Sequence, residues 1–288
     1  MELTILGSGG CMVIPKPLCG CRVCEEAREK GPPFARTGPS AFIHDIHLLI
    51  DTPAEIAFQL NRERIRRVDH LLLTHLDPDH VEGLRVVEQA TLDFRTWRSY
   101  PEKRIRLLLP GGLRDTIRRL SSAYGPLMDY YTGQGFVETV PFDEAVDIHG
   151  IRIHAIPVDR GDQVVYVYGL DQGNRRVVYA PCDIKPFPEH RPEVQNPDLL
   201  VIQPGLFETG LRHGFTYPAG HISRSTLYTF EETVALARRL GSARVVFVHL
   251  EEYWNRSYDD YRKLETALPD MRFAYDGMRF RLKQGESP

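Results

Sequence analysis

Thr74-His75-Leu76-Asp77-Pro78-Asp79-His80 places four metal-capable side chains within six residues, directly after the mostly apolar run Val68 to Leu73. Imidazole and carboxylate are ligand types that divalent transition metals take from proteins. A packed strand ending in such a cluster is a rigid arm with ligands at its tip. A metal held there would acidify a bound water, which points to hydrolysis. A plainer use for Asp79 is to cap a helix that begins near Val81.

A second cluster, Cys19-Gly20-Cys21-Arg22-Val23-Cys24, gathers three of the five cysteines into six residues. Three thiolates so close suit a tetrahedral zinc that draws its fourth ligand from elsewhere. Cys11 and Cys182 read as ordinary small apolar residues, although Cys182 stands beside Asp183.

Two later apolar runs also end in a metal-capable residue. Val177-Val178-Tyr179-Ala180-Pro181-Cys182-Asp183 ends in Asp183, and Val245-Val246-Phe247-Val248-His249 ends in His249. Either residue alone reads as a strand-end cap. Together with the His75–His80 loop they outline a site at strand ends, where a sheet holds ligands and loops adapt.

The elements that must carry these residues alternate. Strands are expected at Leu3–Leu6, Ser40–Ile43, His47–Ile50, Val68–Thr74 and Arg104–Leu109, with helices at about Ala54–Asn61, Val81–Thr91 and Leu113–Ala123. Tyr124–Phe136, rich in Gly and Tyr, reads as a loop. In the second half, strands are expected at Ile151–Pro157, Val164–Leu170, Arg176–Ala180, Leu199–Gln203, Arg244–Val248, Met271–Tyr275 and Arg279–Leu282. Helices are expected at about Glu231–Leu240, stopped by Gly241, and Tyr258–Leu268, stopped by Pro269. No Pro- or Gly-rich linker separates the halves, so residues 1–288 are expected to form one domain, two sheets face to face with helices outside.

Composition narrows the function class. The chain has 288 residues, 42% hydrophobic and 26% charged, with a formal net charge of -3. The arginines of 62–67 and Arg118-Arg119 are interrupted and read as solvated helix faces, so no dedicated nucleic-acid binding is expected. No apolar run approaches a membrane span, and the N-terminus lacks the pattern of a secretory signal. A cytoplasmic protein is expected, in which clustered cysteines bind metal rather than form disulfides. The composition leaves the oligomeric state open and is compatible with a homodimer.

These residues resemble the metallo-β-lactamase superfamily, whose fold is an αβ/βα four-layer sandwich with a metal site at the strand ends. The motifs are Leu6-Gly7-Ser8-Gly9-Gly10, Leu49-Ile50-Asp51-Thr52, the His75–His80 loop, Asp183 and His249. The cysteine triplet and the late Tyr275-Asp276-Gly277-Met278 resemble the branch that holds the PhnP phosphodiesterases and PqqB. In that branch the cysteines bind a structural zinc.

The resemblance implies two metal positions, one with His75, Asp77 and a bridging Asp183, the other with Asp79, His80 and His249. The family loop reads His-x-His-x-Asp-His; here Asp77 replaces one imidazole. Arg160, in Pro157-Val158-Asp159-Arg160, stands where the family has its next histidine. Both departures fall on the first position, whose harder ligand set suits manganese, iron or magnesium as much as zinc. An arginine cannot ligate. Arg160 either faces the site, repelling a second cation and pairing with a phosphate, or is a solvated loop residue; Asp159 offers itself as a substitute ligand.

His221 matches a histidine that assists the leaving group in the phosphodiesterases, and it could equally cap the loop before Leu227. Glu252 stands at the fourth ligand position of the thiolate zinc. The resemblance implies a metal-dependent hydrolase of a small, perhaps cyclic, phosphodiester, with zinc, manganese or iron in the active site as one or two ions and a small anionic substrate. Asp79, Arg160 and His221 would be its catalytic groups. The rival implications are an iron-dependent redox protein of the PqqB kind, and a degenerate member that binds a ligand without catalysis.

Overall fold

Apolar strands pair into two seven-stranded sheets. The structure, a computed structural model, describes residues 1–161 and 163–283. The first sheet runs, in spatial order, Val137–Phe142, Ile105–Pro110, His70–Leu72, Leu48–Ile50, Ser40–Ile43, Glu2–Gly7 and Met278–Arg281. The second runs Ala145–Ile148, Ile151–Arg160, Gln163–Gln172, Arg175–Ala180, Leu199–Ile202, Val245–Phe247 and Met271–Phe273.

The second sheet explains its own apolar runs. Val177, Tyr179, Leu199, Val201 and Val246 face the first sheet and join its core. Their sequence neighbours Val178, Ala180, Leu200, Ile202, Val245 and Phe247 form another core with Leu236 and Ala237 of the helix Phe230–Arg239 and Tyr261 of the helix Tyr258–Glu265. Side chains alternate faces along a strand, and here both faces are covered, so the strands read as unbroken hydrophobic runs. Each fully buried Val, Leu or Ile contributes about 1.5–3 kcal/mol to this packing. The result is the expected sandwich of two sheets with outer helices.

The strands Leu48–Ile50, His70–Leu72 and Ile105–Pro110 are parallel neighbours. So are Arg175–Ala180, Leu199–Ile202 and Val245–Phe247. Parallel strands release their C-terminal ends along one edge, and open sheets carry their sites there. The two sheets meet at that edge: Tyr166 donates its backbone N–H to the Thr74 carbonyl at 2.8 Å, and Tyr168 its hydroxyl to the Leu73 carbonyl at 2.7 Å.

Several expected elements differ. The Tyr124–Phe136 segment, expected as a loop, contains the helix Leu127–Gly133. Met128 and Tyr131, one turn apart, bury against the core beside Phe136, and this tertiary gain outweighs the local Gly and Pro signals. The expected helix Val81–Thr91 begins earlier, at Pro78, and breaks into Pro78–Val81, a 3-10 turn Glu82–Arg85 and Val86–Thr91. At the break the Gly83 amide leaves the helix ladder for the Thr52 carbonyl at 2.8 Å. Leu113–Ala123 is helical only over Gly111–Thr116 and a 3-10 turn, Ile117–Arg119. The Ile151–Pro157 strand extends to Arg160, so Arg160 is a strand-end residue rather than a loop residue. The helix Arg22–Lys30 and the strands Val137–Phe142 and Ala145–Ile148 were not foreseen.

Candidate metal centre

Three strand ends deliver the candidate ligands to the shared edge. His75 leaves the His70–Leu72 strand, and Asp77, Asp79 and His80 follow in the helical turn Pro78–Val81. Asp77 stands at that turn's N-cap, but its carboxylate makes no cap hydrogen bond. Asp183 follows Arg175–Ala180, and His249 follows Val245–Phe247. Asp51, Asp183 and His249 all have left-handed φ, at 62°, 55° and 59°. That region costs a non-glycine residue on the order of 1–3 kcal/mol, and such residues cluster where side chains must be aimed for function.

Ligand atoms lie within 4.8 Å of one another in Asp79–His80–His249, in His75–Asp77–Asp183 and in His75–His80–Cys182. Asp183 therefore joins the first position of the expected pair. It is also ion-paired with Arg160, which faces the site from the end of its strand. The side chain of Asp159 lies outside the described residues. His221 lies in none of these groups; its Nδ1 accepts from the Ser223 amide at 3.2 Å, and its ring packs edge-on to Tyr217 and Phe215. It caps the 3-10 turn Ile222–Ser225.

Behind the imidazoles stands a carboxylate network that the sequence reading left without a role. Asp51, fully buried, receives His80 Nδ1 at 2.9 Å, the Thr74 amide at 2.7 Å and the Thr74 hydroxyl at 2.8 Å. Because the Thr74 hydroxyl donates to Asp51, its oxygen is left to accept from His75 Nδ1 at 2.9 Å. One carboxylate thus orients both rings with Nε2 toward the centre. These Nε2 atoms are buried without a hydrogen-bond partner among the described residues. An orphaned buried lone pair costs about 1–3 kcal/mol unless something fills it, and a divalent cation fits both. Second carboxylates of this kind fix the tautomer of metal-ligating histidines.

Glu251 does the same for His249, with Oε1 3.2 Å from Nδ1. Its oxygens also accept from the amides of Cys11 at 2.9 Å and Met12 at 3.3 Å. Gly10 permits this approach: a Cβ there would fall 2.0 Å from Glu251 Oε1 and 2.6 Å from His249 Nδ1. The glycine run after the first strand was legible as a motif, but its tertiary partner was not.

Charges follow this packing. Burial, with His80 nearby, holds the His75 imidazole well below its ordinary range. Burial opposes charge on His80 too, yet Asp51 and Cys182 push it up to about 10. Against the same burial, Cys182, Asp79 and Glu251 raise His249 well above its usual value. Burial opposes ionisation of Asp79, but the hydrogen bond from His249 and the nearby imidazoles hold its carboxyl below the usual carboxylate range. Burial and the neighbouring Asp183 raise Asp77. Carboxylates thus surround the imidazoles, and their negative charge is the setting that retains a cation, which takes the place of the protons on His80 and His249.

A cavity of about 260 Å³ opens beside Asp79, lined also by Gly10, Cys11, Pro53, Glu55 and Glu82. A larger one, about 600 Å³, lies at the opposite end of the strands beside Val68, Asp69 and Ile105 and is remote from the ligands.

The thiolate cluster is separate. Cys19, Cys21, Cys24 and Glu252 have ligand atoms within 4.8 Å of one another. Glu252 Oε1 stands 3.5 Å from Cys19 Sγ and 3.1 Å from Cys21 Sγ. Cys21 sits at the N-cap of Arg22–Lys30, whose first turn carries Cys24. The Cys21 amide lowers the Cys19 thiol. Arg212 ion-pairs with Glu252 and reaches Cys19 Sγ at 3.5 Å. Three thiolates and a carboxylate exceed the charge of a divalent ion, and this guanidinium offsets part of the excess.

A family model described as the beta-lactamase superfamily domain matches residues 47–250, most of the chain. The chain belongs to this superfamily. Its sandwich is similar to that of a diphosphatase from the PhnP family, with a TM-score of 0.73 and 23% identity over 97% of this chain and 96% of that one. It is similar to zinc-bound PqqB from Methylobacterium extorquens, with a TM-score of 0.71 and 17% identity over 98% and 100%. The short form of human tRNase Z has the same fold, with a TM-score of 0.63 and 15% identity over 98% and 100%. No curated protein sequence matches the chain. Among the described residues no helix is long and apolar enough to cross a membrane.

Proposed function

We propose that this protein is a metal-dependent hydrolase of a small phosphodiester. The observation that carries the reading is the pair of buried, unpartnered Nε2 atoms of His75 and His80, grouped with Asp79, His249, Asp77 and Asp183 at one sheet edge. A divalent ion bound there supplies a Lewis acid and a water acidic enough to ionise near neutral pH. Asp79, kept ionised by its surroundings, accepts a hydrogen bond from the attacking water and orients it. The water oxygen, its proton released to solvent, bonds to phosphorus as the bond to the leaving oxygen breaks. Arg160 offers its guanidinium to the phosphoryl oxygens, and His221 supplies the proton the leaving oxygen takes. Carboxylates edge the cavity, so affinity for an anion rests chiefly on the bound ion, with Arg160 facing the centre from beside Asp183. The cavity beside Asp79 admits a small ester, and the shared fold with a PhnP-family diphosphatase supports phosphorus chemistry. Five unpaired cysteines are in keeping with a reducing, cytoplasmic setting.

The test is turnover of bis(p-nitrophenyl) phosphate with zinc or manganese against an Asp79→Ala control. The expected result is metal-dependent turnover that falls by more than ~100-fold in the variant. Absence of metal-dependent turnover across a panel of diesters refutes the reading. The Arg160–Asp183 ion pair favours a second reading, a degenerate centre that holds no ion and binds a ligand without hydrolysis. Elemental analysis of protein purified without chelator separates the two by counting ions beyond the thiolate zinc.

A further inference from the structure

Cys182 lies outside both ligand sets that the family pattern assigns. It is 8% exposed, and its sulfur lies within 4.8 Å of the ligand atoms of His75 and His80. These two imidazoles belong to different positions: His75 groups with Asp77 and Asp183, and His80 with Asp79 and His249. Cys182 is therefore the side chain between the two positions. Asp183, which the family pattern puts there, is tied to Arg160 and groups with the first position alone.

We infer that Cys182 is a metal ligand, a thiolate that with His75 and His80 forms an S,N,N site between the two expected positions. This rests on the metal-centre reading above. A cysteine by itself would carry nothing, but two independent observations point the same way. His75 and His80 are 3% and 0% exposed, and the Nε2 of each has no hydrogen-bond partner among the described residues. Asp51 and Thr74 spend the Nδ1 atoms, so each ring has its Nε2 left to give.

The ligand chemistry has a consequence. Two imidazoles and one thiolate form a soft set that prefers zinc or cobalt, whereas manganese and magnesium prefer carboxylates. Arg160 neutralises Asp183, the carboxylate next to Cys182 that would have hardened the site. The replacement of a family histidine by Arg160 and the presence of a thiol at Cys182 then belong together: one withdraws Asp183, the other supplies its substitute. Metal binding at this site displaces the thiol proton to solvent as the sulfur–metal bond forms.

Cobalt tests this in the full-length protein with zinc retained in the Cys19–Cys24 cluster. Only a thiolate ligand gives cobalt an intense near-ultraviolet charge-transfer absorption. Elemental analysis confirms one zinc per chain before cobalt is added. The expected result is a charge-transfer band that grows with added cobalt in the wild type and is absent in Cys182→Ser. Cobalt affinity should be weaker in the variant by at least the ~10–100-fold typical of losing a supporting group. Cys182→Ala, which keeps the small volume, should behave in the same way and guards against a folding defect of the serine variant. Identical bands and affinities in wild type and both variants overturn the inference. If the wild type hydrolyses diesters while its cobalt spectrum shows no such band, the hydrolase reading stands and the thiolate ligand falls. If no second ion binds to any form, both fall.

Discussion

The two metal-capable clusters are assembled in opposite ways. The thiolate cluster draws three of its four members from Cys19–Cys24, and only Glu252 comes from afar. The strand-end cluster needs three separate strand ends, with Arg160 arriving from a fourth. In the first, Glu252 is buried and Arg212 closes over it. In the second, lone pairs of His75 and His80 are left without partners, and a cavity opens beside Asp79. A closed four-ligand site stabilises a fold, whereas an open one leaves room for a reactant. The clusters are joined by one short run: His249 belongs to the open centre, Glu252 to the closed one, and Glu251 between them lies 3.2 Å from His249 Nδ1 as an ion pair.

The largest effect should come from breaking the closed site. Cys24→Ala removes a fully buried ligand. Zinc content should fall by one per chain, and the thermal midpoint by roughly 10 °C, as expected when an ion held near a thousandfold above its Kd is lost. A midpoint unchanged by both the substitution and a chelator would remove the structural role from the thiolates. A smaller effect is expected behind the open site. Asp51→Asn disturbs the carboxylate that orients both His75 and His80, so affinity for the second ion should fall ~10–100-fold while the thiolate zinc is retained. Chelator competition measures both in one titration, and loss of both ions together would mean that the clusters are not independent. The smallest effect is expected for Arg212→Ala. This guanidinium, 24% exposed and not itself a ligand, should alter zinc affinity less than ~5-fold. A much larger loss would make Arg212 a structural part of the closed site.

Legibility in the sequence followed the distance over which each feature is decided. Cys19, Cys21 and Cys24 are close because the chain makes them so, and spacing alone nominated them. The runs ending at His75, Asp183 and His249 were legible because both faces of their strands are covered, which leaves a continuous apolar signature. The helix Leu127–Gly133 was not, because Met128 and Tyr131 are helical only through what they pack against. Arg160 could be read as a site residue or a solvated one, and the sequence offered no way to choose. Cys182 read as a small apolar residue because one thiol carries no local pattern.

By itself the sequence determined the fold class, the thiolate triplet and the loop that carries Asp77, Asp79 and His80, since these depend on periodicity and spacing along the chain. Only the tertiary structure decided that Asp51 aligns two imidazoles, that Arg160 takes Asp183, that Glu251 holds His249 and that Cys182 lies between His75 and His80. Apart from Glu251 and His249, which follow the same strand two residues apart, each of these is a contact between segments that follow different strands. Such contacts are set by which strand ends the two sheets bring to a common edge, and one-dimensional spacing holds no record of that convergence.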